Sequence, residues 1–425
     1  MAFEETDRLL ACSFCKTNLY IQPSDYFRYA FSPAFGVTEK IVYIPYWRVR
    51  GIRFACRTSG IKDTLIDRTI LAVNFKGLPD TLGVRPQAVS LKFADKKEGE
   101  RYLEPQVVFS FAFMESQTDW SSSAGLFRET TGFSSLNLRA ALGSELSTAG
   151  TEAREDKLYL ESFVAEQAHL VYAPFFIKDQ TFYDGLTGDA VNAAVDTESM
   201  DGILSRGDWG IRFLSTLCPQ CGFNLSAERD SCVLVCAHCD TCWHAIDQGD
   251  LQALDFRVLS PDNPAGKYAF LPFWRTKVLI DGINLKSYGD LLRASDPVAF
   301  SQCGRTESDL YFWTPAFKIA PSIFLRTAHR MTLTNPDGTT LNEMRDILLY
   351  PANVSPSEAA QSLKVVLLDM MQRKQELLPE LSKITITPTE SVLVFYPFLD
   401  TGYELSDMRV RCGIMKTALT WGHNL

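Results

Sequence analysis

Four cysteines in the second half of the chain have the spacing of metal ligands. They form two Cys-X-X-Cys pairs separated by 14 residues, and their members are Cys218, Cys221, Cys236 and Cys239. A tight turn at each pair directs two sulfur atoms to one point, so the pairs together offer four thiolates to one ion. A closed shell of four thiolates leaves no open position at which water could be activated. The sequence therefore predicts one structural Zn²⁺ per chain.

Neighbouring residues leave alternatives open at this motif. Cys242 forms a further Cys-X-X-Cys pair with Cys239, which makes Cys242 an alternative metal ligand. The 14-residue spacing and the position of Trp243 favour the pair of Cys236 and Cys239. A single tetrahedral iron, as in rubredoxin, would use the same thiolates. An iron–sulfur cluster is disfavoured because the Cys-Pro of bacterial ferredoxins does not follow.

Strands with a common pattern recur in both halves of the chain. The segments around Pro45 and Pro272 both read Pro-aromatic-Trp-Arg, and each half closes with a Pro-aromatic strand, at Pro174 and Pro397. The separation between the two prolines is 129 residues in the first half and 125 in the second. The same landmarks in one order with nearly equal spacing indicate an internal repeat, which is typical of tandem duplication.

The repeated segments also predict local structure. Residues 41–50 and 268–280 are rich in aromatic and β-branched residues, so we expect strands. Since proline cannot donate to a strand ladder, we expect strand ends, bulges or sheet edges at these prolines. Trp47 and Trp274 are expected to anchor the core of each half, with the arginine after each tryptophan facing solvent.

One helix is predicted in the second half. Ser355 can cap it, Pro356 suits the first helical position, and Glu358 completes a capping box. Apolar residues then recur at helical spacing as far as Met371, and Pro379 marks the far end.

Residues 212 to about 250 resemble a zinc ribbon, a module found in many transcription factors and polymerase subunits. The Cys-Pro-X-Cys-Gly knuckle that begins at Cys218 and the later Cys-X-X-Cys followed by Trp243 carry this resemblance. The remainder, with its Pro-aromatic-Trp strands, is similar to uncharacterised bacterial proteins that join such a ribbon to β-rich repeats. The resemblance implies a fold and no particular reaction.

These observations predict an α+β, β-rich protein of two tandem related halves. We expect a first repeat half at 1–205, a zinc ribbon at 206–260, and a second β-rich domain with a C-terminal helix and strand at 261–425. The first half keeps only Cys12 and Cys15, because no cysteine or histidine lies between Cys15 and Trp47. We interpret this pair as a degenerate knuckle. A redox pair, or a site completed by a distant cysteine or a partner chain, are the alternatives.

Composition limits the class of protein. The 425 residues are 46% hydrophobic and 22% charged with a formal net charge of -9, a profile typical of a soluble globular protein. Between Arg212 and Arg257 there are three basic and six acidic residues, which disfavours binding to phosphate backbones. No apolar run approaches the ~20 residues that span a membrane, and the acidic N-terminus does not resemble a secretory signal. We therefore expect a cytoplasmic protein.

No catalytic motif is present in the sequence. Nucleophile elbows, phosphate-binding loops and zinc-protease helices are absent, and His169 and His329 are expected to be structural or surface residues. The sequence thus favours a non-enzymatic interaction or scaffold protein that binds a protein partner. A transcription-associated, nucleic-acid-binding zinc ribbon is the alternative, and a rubredoxin-like iron redox protein is the third possibility.

Overall fold

The computed structural model describes residues 7–11, 18–23, 25–34, 40–75, 77–94, 100–107, 156–179, 181–194, 204–205, 209–245, 250–304, 306–341, 343–344 and 347–422. Cys12 and Cys15 lie outside the described residues, so the interpretation of that pair stays a prediction. The described chain is rich in β-strands, which confirms this part of the expected fold class.

The elements are numbered in chain order. The strands are β1 (Leu9–Ala11), β2 (Asn18–Gln22), β3 (Arg28–Phe31), β4 (Ile41–Arg57), β5 (Gly60–Leu71), β6 (Leu91–Phe93), β7 (Arg101–Tyr102), β8 (Leu158–Lys178), β9 (Thr181–Asp184), β10 (Ala190–Ala194), β11 (Arg212–Ser215), β12 (Val233–Cys236), β13 (Thr241–Ala245), β14 (Leu251–Leu254), β15 (Phe256–Val258), β16 (Tyr268–Asp281), β17 (Tyr311–Pro315), β18 (Leu348–Leu349), β19 (Thr385–Asp400), β20 (Glu404–Asp407) and β21 (Cys412–Met415). The helices are α1 (Arg85–Ala88), α2 (Tyr288–Ser295), α3 (Pro297–Gln302), α4 (Pro321–Thr334), α5 (Pro356–Gln361), α6 (Leu363–Met370), α7 (Lys374–Leu377) and α8 (Lys416–Gly422), with a 3₁₀ turn at Leu378–Glu380.

Two large sheets are built around long antiparallel strand pairs. In the first sheet β4 pairs with β8, and in the second sheet β16 pairs with β19. The outer strands follow the same order in both: β3 runs parallel to β8 as β15 does to β19, and β7 runs parallel to β4 as β18 does to β16. Strand β5 pairs with β4 as β17 pairs with β16. Strands β9 and β10 follow β8 in the first sheet as β20 and β21 follow β19 in the second. The two sheets thus share one pairing pattern.

The repeated tryptophans anchor the two sheets in the same way. Trp47 and Trp274 are 2% and 1% exposed, which confirms that both are core residues. The indole N–H of Trp47 donates to the carbonyl of Val107 at 2.6 Å, and that of Trp274 donates to the carbonyl of Val354 at 2.8 Å. Each tryptophan therefore packs its ring and also satisfies its polar atom.

The repeated prolines lie inside central strands, so the prediction of strand ends, bulges or edges is wrong. The carbonyl of Pro45 accepts a hydrogen bond from Ala72 N, and the carbonyl of Pro272 accepts one from Ala316 N, both at 3.0 Å. A residue's N and C=O point to the same side of a strand, so the N–H that Pro45 lacks would point away from β8. On that side, β4 pairs with β7 before the proline and with β5 after it. No ladder hydrogen bond to β8 is lost there.

The arginines after the tryptophans are not both on the surface. Arg48 is buried, and its guanidinium donates two hydrogen bonds of 3.2 Å to the carboxylate of Asp67. Arg275 is half-buried and lies 3.4 Å from the ring centroid of Tyr311. The expectation of a solvent-facing arginine is therefore wrong for Arg48, and Arg275 is partly exposed; each has a local partner that offsets its burial.

The predicted capping box is present, but the helix behind it is divided. Ser355 accepts from Glu358 N, and the Glu358 carboxylate accepts from Ser355 N. Helix α5 ends at Gln361, and α6 runs from Leu363 to Met370. Between them, the hydroxyl of Ser362 donates to the carbonyl of Ala359. This hydrogen bond explains the break, because the Ser362 hydroxyl competes with backbone N–H groups of the helix for the carbonyl of Ala359.

The first sheet contributes to the core of the second half. The far end of β4 and β8 supplies Ile52, Phe54 and Val164 to a hydrophobic cluster that contains Phe324 of α4 and Leu367 of α6. The largest core of the described chain is thus shared between residues far apart in sequence.

Candidate metal centre

The first Cys-X-X-Cys pair lies in a tight turn that directly follows β11. A bridge between Leu217 and Asn224 closes the turn, and Cys218 N donates to the carbonyl of Phe223 at 2.7 Å. Gly222 has a φ of 75°, a conformation that most side chains avoid. The Gly that follows the pair in the sequence therefore permits the turn that brings Cys218 and Cys221 together.

The second pair lies in the hairpin between β12 and β13. Cys236 ends β12 and is opposite Thr241, the first residue of β13. Cys239 lies in the turn between them, where Asp240 has a φ of 51°. Aspartate tolerates this left-handed conformation better than most residues, so the local sequence suits the hairpin.

The four sulfur atoms meet at one point. All four ligand atoms lie within 4.8 Å of one another. Cys218 Sγ lies 3.6 Å from Cys239 Sγ, and Cys221 Sγ lies 3.5 Å from Cys236 Sγ. A tetrahedral ion with Zn–S bonds of about 2.3 Å would place its sulfurs about 3.8 Å apart. The described thiols therefore match the size of a four-thiolate metal site.

The centre is packed on one side and accessible on the other. Cys218 and Cys236 are buried, whereas Cys221 and Cys239 are half-buried. Apolar side chains cover the inner side, and the buried ones are Leu9, Tyr20, Leu214, Leu225, Leu234 and Trp243. Since Leu9 and Tyr20 come from β1 and β2, the N-terminal strands form part of the wall of this centre.

Thr241 lies beside the sulfurs and was not identified from the sequence. Its Oγ1 accepts a hydrogen bond of 2.9 Å from the Trp243 indole. The same oxygen lies 3.2 Å from Cys239 Sγ and 3.7 Å from Cys218 Sγ. Alternation along β13, which places positions 241 and 243 on one face, is the pattern that could have indicated this role.

The thiols differ in how readily they ionise. Burial raises the pKa of Cys218, but hydrogen bonds from the backbone N–H groups of Cys221 and Gln220 and from Thr241 outweigh it and lower this pKa to about 6. For Cys239, the Thr241 hydroxyl lowers the pKa, whereas burial and the neighbouring thiols raise it to about 12. A cation among the sulfurs would favour the thiolate at all four positions, because its charge offsets their mutual repulsion.

The structure keeps the two additional cysteines apart from this group. Cys242 is 1% exposed and points to the opposite face of β13, where it packs with Val233 and Trp274 of the second sheet's cluster. Cys232 Sγ donates to the carbonyl of Ala352 at 3.2 Å. Burial raises the pKa of both thiols. Among the described cysteines, the sulfur group consists of the four positions that the spacing favoured.

Three histidines of the described residues contact groups other than the four sulfurs. His238 is exposed and stacks on Phe223, with ring centroids 3.7 Å apart. His169 is buried between the rings of Phe27 and Tyr29. His329 on α4 lies away from the sulfurs, and its Nδ1 is 2.7 Å from Asp369 Oδ2 on α6.

The loop between the two cysteine pairs contacts the N-terminal segment. The carbonyl of Arg229 accepts hydrogen bonds from the backbone N–H groups of Arg8 and Leu9. The Arg229 guanidinium lies 2.7 Å from the buried carboxylate of Asp7. This loop therefore holds the N-terminal strand against the cysteine module, which we define as residues 212–254.

The same loop contacts the β-rich region that follows the cysteine module in the sequence. Asp230 Oδ2 accepts a hydrogen bond of 2.9 Å from the Asn353 amide and lies 3.9 Å from the buried Lys318 Nζ. Burial lowers the pKa of Lys318, and the charge of Asp230 opposes this shift. Cys232 N donates to the carbonyl of Ala352 at 2.8 Å. The cysteine module is thus joined to the β-rich region that follows it by polar contacts in a buried region.

Comparisons with protein-family models, curated proteins and solved structures gave no match to this chain. Among the helices of the described residues, none has the length and apolar character needed to cross a bilayer.

Proposed function

We propose that residues 212–254 are a zinc ribbon and that Cys218, Cys221, Cys236 and Cys239 hold one structural Zn²⁺. The convergence of the four sulfurs within 4.8 Å carries this proposal. A shell of four thiolates has no open position for substrate or water, so the ion stabilises the fold and takes no part in a reaction.

We propose further that the protein is an interaction or scaffold protein whose zinc ribbon stabilises a docking surface for a protein partner. Large apolar side chains on the cysteine module support this role, because Phe213 and Phe223 are 52% and 55% exposed. The inter-pair loop contacts Asp7 through Arg229, and Lys318 and Asn353 through Asp230. A rigid module would hold these distant segments in place.

We also infer that the two large sheets are tandem related halves. Their shared pairing order and the equivalent hydrogen bonds of Trp47 and Trp274 support a duplication. The alignment of the two halves would assign β12, β13 and β14 to an extension that the second half alone possesses among the described residues.

Metal analysis tests the zinc proposal. Native mass spectrometry with elemental analysis of the purified chain should give one zinc per chain and a colourless solution. A coloured protein with stoichiometric iron would contradict zinc and favour the rubredoxin-like alternative.

The scaffold role needs a separate test. Affinity capture from cells should recover a protein that the parent chain retains and that the exposed-site variant Phe223→Ser loses, with metal content unchanged in both. Leu65→Ser, which alters an exposed residue of β5, is the matched control. Equal recovery by all three chains would argue against a docking role for the ribbon surface.

A further inference from the structure

A cavity of about 470 Å³ lies beside the end of β20, away from the metal centre. Its walls come from the segment after β15, the segment after α4 and the turn between β20 and β21. Asp262, Tyr396, Asp407 and Met408 line it. The volume falls within the range of about 300 to 1,000 Å³ that is usual for small-ligand sites.

Asp407 has a counterpart at the same position of the first sheet. Asp184 ends β9 as Asp407 ends β20, and these two strands pair with β8 and β19. Each carboxylate accepts a backbone hydrogen bond from the turn that follows it, from Leu186 N at 2.8 Å and from Val410 N at 2.7 Å. The two aspartates therefore have the same place and the same local role.

The two carboxylates differ in their cationic partner. The buried Asp184 forms an ion pair with the guanidinium of Arg85 on α1. Asp407 accepts instead from the Tyr396 hydroxyl at 3.2 Å. Among the described residues, no basic side chain lies within ion-pair distance of Asp407.

Asp407 lacks a cationic partner because the segment of the second sheet that corresponds to that of Arg85 has a different sequence. Arg85 belongs to the segment that leads into β6, where Leu91 lies opposite Phe31. In the second sheet the equivalent position to Phe31 is Leu259, which bridges to Thr340. The segment that leads to Thr340 carries Asp337 rather than a basic residue. In the first sheet, Arg85 of the chain itself lies beside Asp184, whereas in the second sheet a cavity lies beside Asp407.

The charges around the cavity favour a cation. Burial raises the pKa of the Tyr396 hydroxyl, and the charges of Asp407 and, to a lesser degree, Asp262 add to this effect, while Arg409 opposes it. Both carboxylates are thus within electrostatic reach of the same hydroxyl. Arg409 directs its guanidinium to the main-chain carbonyl of Asp337 at 3.0 Å.

We propose that this cavity binds a guanidinium group, with Asp407 as its main anionic partner and Asp262 at the rim. The observation that carries the proposal is that the equivalent carboxylate of the first sheet already binds a guanidinium, that of Arg85. A planar guanidinium can donate two parallel hydrogen bonds to one carboxylate, and Met408 offers an apolar surface to the attached methylenes. The group comes either from an arginine side chain of a peptide or from a small guanidine compound. This site is independent of the proposed zinc, because none of the four cysteines lines it.

Calorimetric titration of the full chain with N-acetyl-arginine amide tests the proposal. We expect saturable binding, and at least about tenfold weaker binding of N-acetyl-citrulline amide, which has the same shape without the charge. A blocked pentapeptide with one central arginine separates the two sources. Tighter binding of the pentapeptide than of the amide would assign the site to a peptide side chain, and equal or weaker binding to a small guanidine compound.

Two variants keep the test decisive if one of them folds poorly. Asp407→Asn retains an oxygen for Val410 N, and Asp262→Asn changes an exposed residue; each should weaken binding, by about tenfold for Asp407→Asn. Asp309→Asn, at an exposed carboxylate beside Lys277, is the control and should bind like the parent. The proposal is overturned by absent binding, by equal affinity for arginine and citrulline amides, or by equal affinities of all three variants. Binding that persists in the zinc-site variant Cys239→Ser would separate this site from the metal centre.

Discussion

The hydroxyl of Thr241 lies 3.2 Å from Cys239 Sγ and also accepts the indole N–H of Trp243. Since its oxygen already accepts from Trp243, the hydroxyl hydrogen is free to point toward the sulfur. A donor of this kind orients a thiolate ligand and lowers its charge density. Thr241 is thereby the clearest positioning residue of the proposed zinc site.

Replacing Thr241 with Val should weaken metal binding without removing a ligand. We expect a loss of roughly 10- to 100-fold in zinc affinity, because the thiolate loses its hydrogen-bond donor while the side-chain shape is kept. Competition with a chromophoric chelator measures this change. Thr64→Val, at an exposed position of β5, should leave the affinity as it is in the parent chain. Equal affinities for both variants would show that the hydroxyl has no influence on the site.

Cys239 and Cys242 should respond differently to the loss of their sulfur, because only the first lies in the sulfur group. Cys239→Ser should abolish stoichiometric zinc, because one of the four thiolates is removed. Cys242→Ala should keep one zinc per chain and lower the free energy of unfolding by about 1 kcal/mol, because it leaves a small void in an apolar cluster. Elemental analysis and urea unfolding measure the two effects. Loss of zinc from Cys242→Ala would support its role as the alternative ligand.

Removing Asp230 should leave a buried lysine without its anion. Asp230→Ala is expected to lower the free energy of unfolding by about 3 kcal/mol, because the Lys318 ammonium stays buried and the Asn353 amide loses its acceptor. In the double variant with Lys318→Met the loss should be smaller, since the buried ammonium is removed together with its ion-pair partner. Asp309→Ala should change the stability by about 0.5 kcal/mol or less. Equal losses in the single and double variants would contradict this account of Lys318.

The carboxylate of Asp369 should make stability depend on pH in the acid range. Burial raises its pKa, but hydrogen bonds from His329 and Lys374 outweigh burial and hold this pKa below its ordinary value of 3.8. A depressed pKa in the folded state contributes stability above the unfolded-state value, and this contribution is lost as the pH falls through the folded-state value. Asp369→Asn should therefore be less stable than the parent by about 1 kcal/mol at pH 6, and the difference should shrink below pH 4. Urea unfolding at several pH values measures it, and a constant difference down to pH 2 would contradict it.

Much of the local structure could be predicted because it depends on neighbouring residues. The convergence of the four cysteines depends on one tight turn and one hairpin, each formed by neighbouring residues. The strands around Trp47 and Trp274 and the capping box of Ser355 likewise need only short-range patterns.

Other features were not predicted from the sequence, and most of them depend on contacts between distant residues. The prolines fit central strands because each lies where one neighbouring strand ends and the next begins, so that no strand is left without its hydrogen-bond donor. Asp230 acquires its importance from Lys318 and Asn353, which are about 90 to 120 positions away. Thr241 gained a role because β13 turns it toward the sulfurs, whereas the same alternation turned Cys242 away.

The shared core of β4 and the second half has a consequence for how the chain is made. Phe54 is synthesised about 270 residues before Phe324, a member of the same hydrophobic cluster. At translation speeds of about 5 to 20 residues per second, the apolar end of β4 would wait more than ten seconds for this part of its cover. During that interval the apolar end of β4 lacks these contacts, and exposed apolar surface of this kind favours aggregation.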